Sequence, residues 1–238
     1  MAMIKVGDVV SYIDMCQEEG AALQRGMNYR LGKAYSIVLM SVRVGAPYAD
    51  KVKEEGSVLI YEGHDVSRTS DNPIPKMVDQ PLTLPSGKLT QNGLFFQAAK
   101  GYKRKQRDPE RVKVYEKVNT GIWVYNGLFQ LVDTWLEEVS AGDGIRNVCK
   151  YKLELSDDDD VQHNEDSRVG IEHDRIIPAP VKLEVWKRDK GRCVMCESKE
   201  NLHFDHIIPY SRGGSSLTSK NIQLLCMSHN LAKRDKIE

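Results

Sequence analysis

No stretch of this chain stays apolar for long. A run of about eighteen such residues, the length a membrane-spanning helix needs, is absent from its 238 residues. The first twenty hold Lys5, Asp8, Asp14, Glu18 and Glu19 and no uninterrupted apolar core, so neither a secretory signal nor a membrane partner is expected. Net charge is missing too. The 34 Lys and Arg balance 34 Asp and Glu, which argues against an overall basic surface that coats nucleic acid without discrimination. Cysteines are few and odd in number: Cys16, Cys149, Cys193, Cys196 and Cys226. Three crowd one end beside a histidine, which suits metal ligation in a reducing cytoplasm better than a disulfide framework. No internal repeat is visible.

What is present divides the chain. Hydrophobic content of 40% is ordinary for a globular protein, and the length accommodates one large domain or two smaller ones. A helical segment is expected over 1–25, with the helix itself at 9–25. Short apolar runs at 35–44, 57–61, 94–98, 112–118, 122–125, 129–134 and 148–155, punctuated by Gly, Pro, Asn and Asp, read as strands. They predict a strand-rich domain over 26–155, an antiparallel barrel or sandwich with few helices. Residues 156–180 are acidic and polar, with Pro178 and Pro180 at the end, and read as a linker. Residues 181–238 then form a small second domain, with a short helix at 183–189, a strand at 202–207 and a polar helix from about Met227. A basic run from Lys100 to Lys113 offers either a phosphate track or a solvated face.

The second domain carries metal chemistry. Cys193-Val-Met-Cys196 and Cys226-Met-Ser-His229 form two knuckles about thirty residues apart, a spacing that can close a tetrahedron of thiolates and imidazole around Zn²⁺. A domain this short has little core of its own, so a structural ion has an evident task.

Between and beyond the knuckles stand Asp205-His206, Asn221 and Asn230. Together they resemble the HNH nuclease family, whose ββα-metal fold places an Asp/His-His pair, a central Asn and a final His or Asn around one phosphodiester. The resemblance implies a zinc-stapled ββα domain. In it His206 would take a proton from water, Asp205 and Asn230 would ligate a catalytic Mg²⁺ or Mn²⁺, and Asn221 would tie the hairpin loop and orient His206. Many relatives have Cys where His229 stands. His229 is read as the fourth zinc ligand, the alternative being a catalytic role. His203, on the same strand face as Asp205, is read as structural or DNA-facing.

Two segments of the first domain resemble the SRA domain, a PUA-like β-barrel that flips a modified cytosine out of duplex DNA. One runs from Ala34 through Pro47-Tyr48-Ala-Asp50 to Tyr61-Glu62-Gly63. The other is Val124-Tyr-Asn-Gly-Leu-Phe-Gln-Leu-Val-Asp-Thr-Trp135, similar to the family's Tyr-Asp-Gly signature with Asn126 in the Asp position. Asp79-Gln80 and Asn92 match its middle segment. By this resemblance Tyr48 and Tyr61 would sandwich the base, and Asp50 would accept from the cytosine amine. The backbone at Glu62 and Gly63 would complete the edge contacts. Asp65 or Asp79 are alternatives to Asp50, and a place in the barrel core is the alternative for the tyrosines.

The α+β whole therefore resembles SRA–HNH modification-dependent restriction endonucleases. The expected partner is double-stranded DNA carrying 5-methylcytosine or a related modified cytosine, cut by a homodimer or by successive nicks. An HNH nuclease without modification preference and a non-catalytic reader of modified DNA are the other readings.

Overall fold

The computed structural model describes residues 4–23, 25–43, 45–70, 72–156, 177–209, 214–216 and 218–233. Most of the segment read as an acidic linker lies outside the described residues.

The helix expected at 9–25 is divided. Val9–Ser11 forms strand β1, and α1 covers only Tyr12–Glu19. The Ser11 hydroxyl caps α1 by accepting from the Asp14 amide, and Gly20, at φ 58°, turns the chain out of the helix. The β-branched Val9 and Val10 join the sheet, so this segment belongs to the first domain.

Strands β2 (Met27–Asn28), β3 (Ser36–Met40), β4 (Lys51–Lys53) and β5 (Val58–Glu62) precede helix α2 (Gln91–Lys103). Three long strands follow: β6 (Glu110–Asn119), β7 (Ile122–Ala141) and β8 (Gly144–Leu155). Helix α2 replaces the strand expected at 94–98. The Leu-Phe-Phe run mimics a strand, but Phe95, Ala98 and Ala99 fall on one helical face and are buried against the sheet. Thr90 caps the helix through the Gly93 amide.

The sheet runs β2-β3-β6-β7-β8-β5-β4, with β1 on the free edge of β7. Pairing is antiparallel throughout except between β3 and β6. Among the described residues its ends, β2 and β4, do not pair. The expected closed barrel is therefore an open mixed sheet within an α+β fold. The break expected between two short strands at Asn126-Gly127 is also absent. Val114 pairs with Gly127 and Tyr115 with Tyr125, which leaves Asn126 as the extra residue of a β-bulge inside one continuous strand.

The C-terminal part is α3 (Ala179–Arg188), a hairpin of β9 (Leu202–His206) and β10 (Ile222–Cys226), and α4 (Met227–Lys233). It is packed on the first domain. Val118 and Val124 share an apolar cluster with Ile177, Val181, Val185, Phe204, Ile222 and Leu224. Inside this seam the Lys182 ammonium is 2.8 Å from Glu116 Oε2 and donates to Asn126 Oδ1 at 2.7 Å, while Asn126 Nδ2 donates to Glu116. All three side chains are buried. A second link joins His203 Nδ1 to Asp8 Oδ1 at 2.6 Å.

Candidate base pocket and metal hairpin

A cavity of about 680 Å³ is lined by Tyr48, Asp50, Tyr61, His64, Arg43 and Trp123, among others. Strand β5 delivers Tyr61, and the turn after it delivers His64. The Tyr48 ring lies 5.2 Å from the His64 ring at 17°, a stacked pair. The Tyr61 hydroxyl sits 3.1 Å from His64 Nε2. Burial pushes His64 down to about 4, so its imidazole is neutral at physiological pH. Asp50 accepts the Glu62 amide on Oδ1 at 3.0 Å and the Ser41 amide on Oδ2 at 2.9 Å. Burial pushes its carboxyl up to about 7 against the pull of those two amides.

The other two candidate carboxylates are engaged elsewhere. Asp65 meets Arg146 at 2.6 Å and Gln80 at 3.1 Å, Asp79 accepts the Asn147 amide at 2.6 Å, and neither lines the cavity. The edge contacts expected from the Glu62 and Gly63 backbone need correction. The Glu62 amide is donated to the Asp50 side chain and the Gly63 amide to the Cys149 carbonyl. The Glu62 side chain is buried on Lys150 at 2.6 Å. Gln80 and Asn92 brace the turn instead: Gln80 Nε2 donates to the Gly63 carbonyl, and Asn92 takes the His64 amide and returns a hydrogen bond to its carbonyl.

His64 was not singled out from the sequence. Its only signal is its place directly after Tyr-Glu-Gly at the end of an aromatic strand. Three of the seven basic residues in the run are spent within the fold. Lys103 pairs with Asp133, Arg107 with Glu110 and Lys113 with Glu19, so these three do not form an open phosphate track.

Around the hairpin, Cys193, Cys196, Cys226 and His229 bring three thiols and an imidazole within 4.8 Å of one another. Their separations can be compared with a metal tetrahedron. Cys196 Sγ to Cys226 Sγ is 3.7 Å, and His229 Nδ1 is 3.5 Å from Cys193 Sγ and 3.2 Å from Cys226 Sγ. Zn–S bonds of about 2.3 Å and Zn–N bonds of about 2.0 Å give tetrahedral edges of roughly 3.5–3.8 Å. The donor set fits zinc, with His229 as the fourth ligand. The Ser228 hydroxyl and the His229 amide lower the Cys226 thiol to about 6, in the thiolate range.

Asp205 and His206 end β9, and Gln223 stands directly across from Asp205. Lys233, buried on α4, places its ammonium 2.6 Å from Asp205 Oδ2 and also donates to the His206 carbonyl. Gln223 adds a second donor to Oδ2 at 3.2 Å, while Oδ1 has no hydrogen bond among the described residues. His206 Nε2 is 2.8 Å from the Ser216 hydroxyl, and burial lowers the imidazole below its usual value. Asn221 accepts the Ile208 amide and donates to the carbonyls of Ile208 and Ser215, tying the loop between the strands. Gly214 faces that knot, where a Cβ would lie 1.7 Å from the Ile208 carbonyl oxygen. Asn230 is half-buried on α4, which packs against β9 and β10, and its side chain has no hydrogen bond among the described residues. His203, assigned above as structural or DNA-facing, is buried in the seam and faces Asp8.

The SAD/SRA domain profile matches residues 1–159. The chain belongs to the SAD/SRA family. The match takes the first 25 residues into the SAD/SRA domain, in agreement with β1 lying in its sheet. An HNH endonuclease profile matches residues 193–236, which contain the zinc ligands and the Asp205-His206 pair. No curated protein matches the chain. Among solved structures, the SUVH5 SRA domain bound to fully hydroxymethylated CG DNA is 22% identical, with a TM-score of 0.46, covering 65% of this chain and 90% of that one. The DNA modification-dependent restriction endonuclease AspBHI is 15% identical, with a TM-score of 0.49, covering 67% and 43%. The modification-dependent TagI restriction endonuclease is 20% identical, with a TM-score of 0.40, covering 96% and 76%. No described helix is long and apolar enough to cross a membrane.

Proposed function

We propose that this SAD/SRA–HNH chain is a modification-dependent DNA endonuclease that flips 5-methylcytosine or a related modified cytosine from duplex DNA and hydrolyses a nearby phosphodiester. The observation that carries this reading is the joining of two sites in one packed unit: the cavity of Tyr48, Asp50 and Tyr61, and the hairpin of Asp205, His206 and Asn221.

In the pocket, aromatic faces return about 1–3 kcal/mol of stacking per base, which offsets the few kcal/mol lost on flipping. Asp50, once ionised, accepts from the exocyclic amine and so discriminates against thymine. At the hairpin and the helix after it, Asp205 through Oδ1 and Asn230 through its side-chain carbonyl would hold a divalent cation, Mg²⁺ or Mn²⁺. That cation, when bound, supplies neutralisation of charge on the phosphate oxygens. His206, neutral near pH 7, accepts the proton of the attacking water, with Ser216 holding its Nε2 and Asn221 holding the loop that carries it. Double-strand cleavage by one such site per chain calls for a homodimer or two successive nicks. The reduced thiols of the zinc site fit a cytoplasmic location.

The test is cleavage of one plasmid, fully cytosine-methylated or unmethylated, with Mg²⁺ or Mn²⁺ and a His206→Ala control. Cutting of the methylated form alone, lost in the control, is expected. Equal cutting of both forms would retain the nuclease and sink the modified-base reading.

A further inference from the structure

The slot assigned to the flipped base is already furnished with an aromatic ring. His64 stacks on Tyr48 and touches the Tyr61 hydroxyl through Nε2, so its imidazole makes contact with both of the tyrosines that would hold a base. Its ring centre lies 5.2 Å from that of Tyr48 and 6.3 Å from that of Tyr61. The ring is neutral, as a base is. Its backbone is fixed at both ends, because Asn92 accepts the His64 amide at 2.8 Å and donates to the His64 carbonyl at 2.8 Å. Only the side chain has freedom to turn. The wall opposite is Gly26, where a Cβ would come within 2.7 Å of both His64 Nε2 and the Tyr61 hydroxyl. A glycine there leaves just enough room for the imidazole.

We propose that His64 is a threshold-setting plug: its side chain holds the place between Tyr48 and Tyr61, and a base enters only by displacing it. The inference rests on the base-pocket reading given above. Displacement costs the Tyr48 stacking and the Tyr61 hydrogen bond, and it falls equally on every base that enters. A base able to regain that loss in the pocket binds; one that regains less stays in the duplex. The plug thus raises the threshold for flipping and lets the contacts of the modified cytosine decide the outcome.

Fluorescence anisotropy with a hairpin duplex carrying one 5-methylcytosine, and its unmodified twin, tests this on a His206→Ala background, so that no cutting occurs and the structural zinc is kept. His64→Ala is expected to tighten binding to the modified duplex about tenfold, the equivalent of one lost stack and hydrogen bond. Binding to the unmodified duplex tightens by no more than the same factor, because the displacement cost is common to every base. His64→Asn, which keeps a hydrogen-bonding group for Tyr61 without a stacking ring, should tighten binding in the same direction and guards against a folding defect in the Ala variant. Weaker or unchanged binding of the modified duplex by both variants would overturn the plug. Tyr48→Ala separates the two levels of the argument. If it leaves modified-duplex binding intact, the pocket reading has failed, whatever His64 does.

Discussion

Removal of the Lys182 ammonium has a large and calculable consequence. Its partner Glu116 is fully buried, with Oε1 unpaired and Oε2 held by Lys182 and Asn126. In Lys182→Met the side-chain volume is kept, and Glu116 is left as an uncompensated charge in an apolar seam. Breaking one side of a buried pair costs about 3–5 kcal/mol. At about 2–4 °C per kcal/mol for a chain of this size, the melting midpoint should fall by roughly 6–20 °C. Adding Glu116→Gln to that variant removes the stranded charge. The introduced amide can accept from Asn126 Nδ2 and offer its own N–H to Asn126 Oδ1, so more than half of the loss should return. Thermal melts followed by circular dichroism read both variants against the wild type. A single variant that costs less than about 1 kcal/mol, or a double variant less stable than the single, would refute the assignment of this contact as a buried clasp.

Two further outcomes follow from the sites. Burial raises Asp50 to about 7 from its ordinary value near 4, so its charged form destabilises the fold progressively as pH rises from about 4 to above 7. Melts of Asp50→Asn and wild type between pH 4 and 9 should show the variant gaining relative stability across that window, and a flat difference would contradict the burial. Lys233→Met releases Asp205 Oδ2 and the His206 carbonyl; cleavage should fall about 100-fold, the scale of a 1 Å misplacement at a reacting centre. Modified-duplex binding should be unchanged, and a binding loss of the same size would place Lys233 in DNA contact instead.

The zinc site was legible in the sequence because metal ligands declare themselves by residue type and short spacing, and the Cys193–His229 set forms a cluster as the two knuckles imply. The hairpin residues were equally legible, since Asp205, His206 and Asn221 lie within one supersecondary unit. What stayed hidden depends on distant packing. The Leu-Phe-Phe run of α2 has the apolar density of a strand, and only its burial against the sheet reveals the helical face. Val118, Val124 and Ile222 look like ordinary core positions, and nothing in their pattern says that they face another domain. Nothing in the sequence marks Lys182 or Lys233 as buried on a carboxylate, as the structure shows each to be. His64 and Ser216 depend on turns whose geometry local residue chemistry does not specify. Asn126, a departure from the family signature, gains its meaning only from the Lys182 and Glu116 that flank it.

The shared apolar cluster between β6, β7, α3 and the hairpin has a further consequence, in the dimension along the DNA. The proposed base pocket and nuclease hairpin are joined by packed elements, with β7 reaching the cavity at Trp123 and the seam at Val124. On a duplex, such a join is a ruler. On the proposed function, the offset from modified base to cut is set by this seam, and a substitution at Val185 is expected to change it.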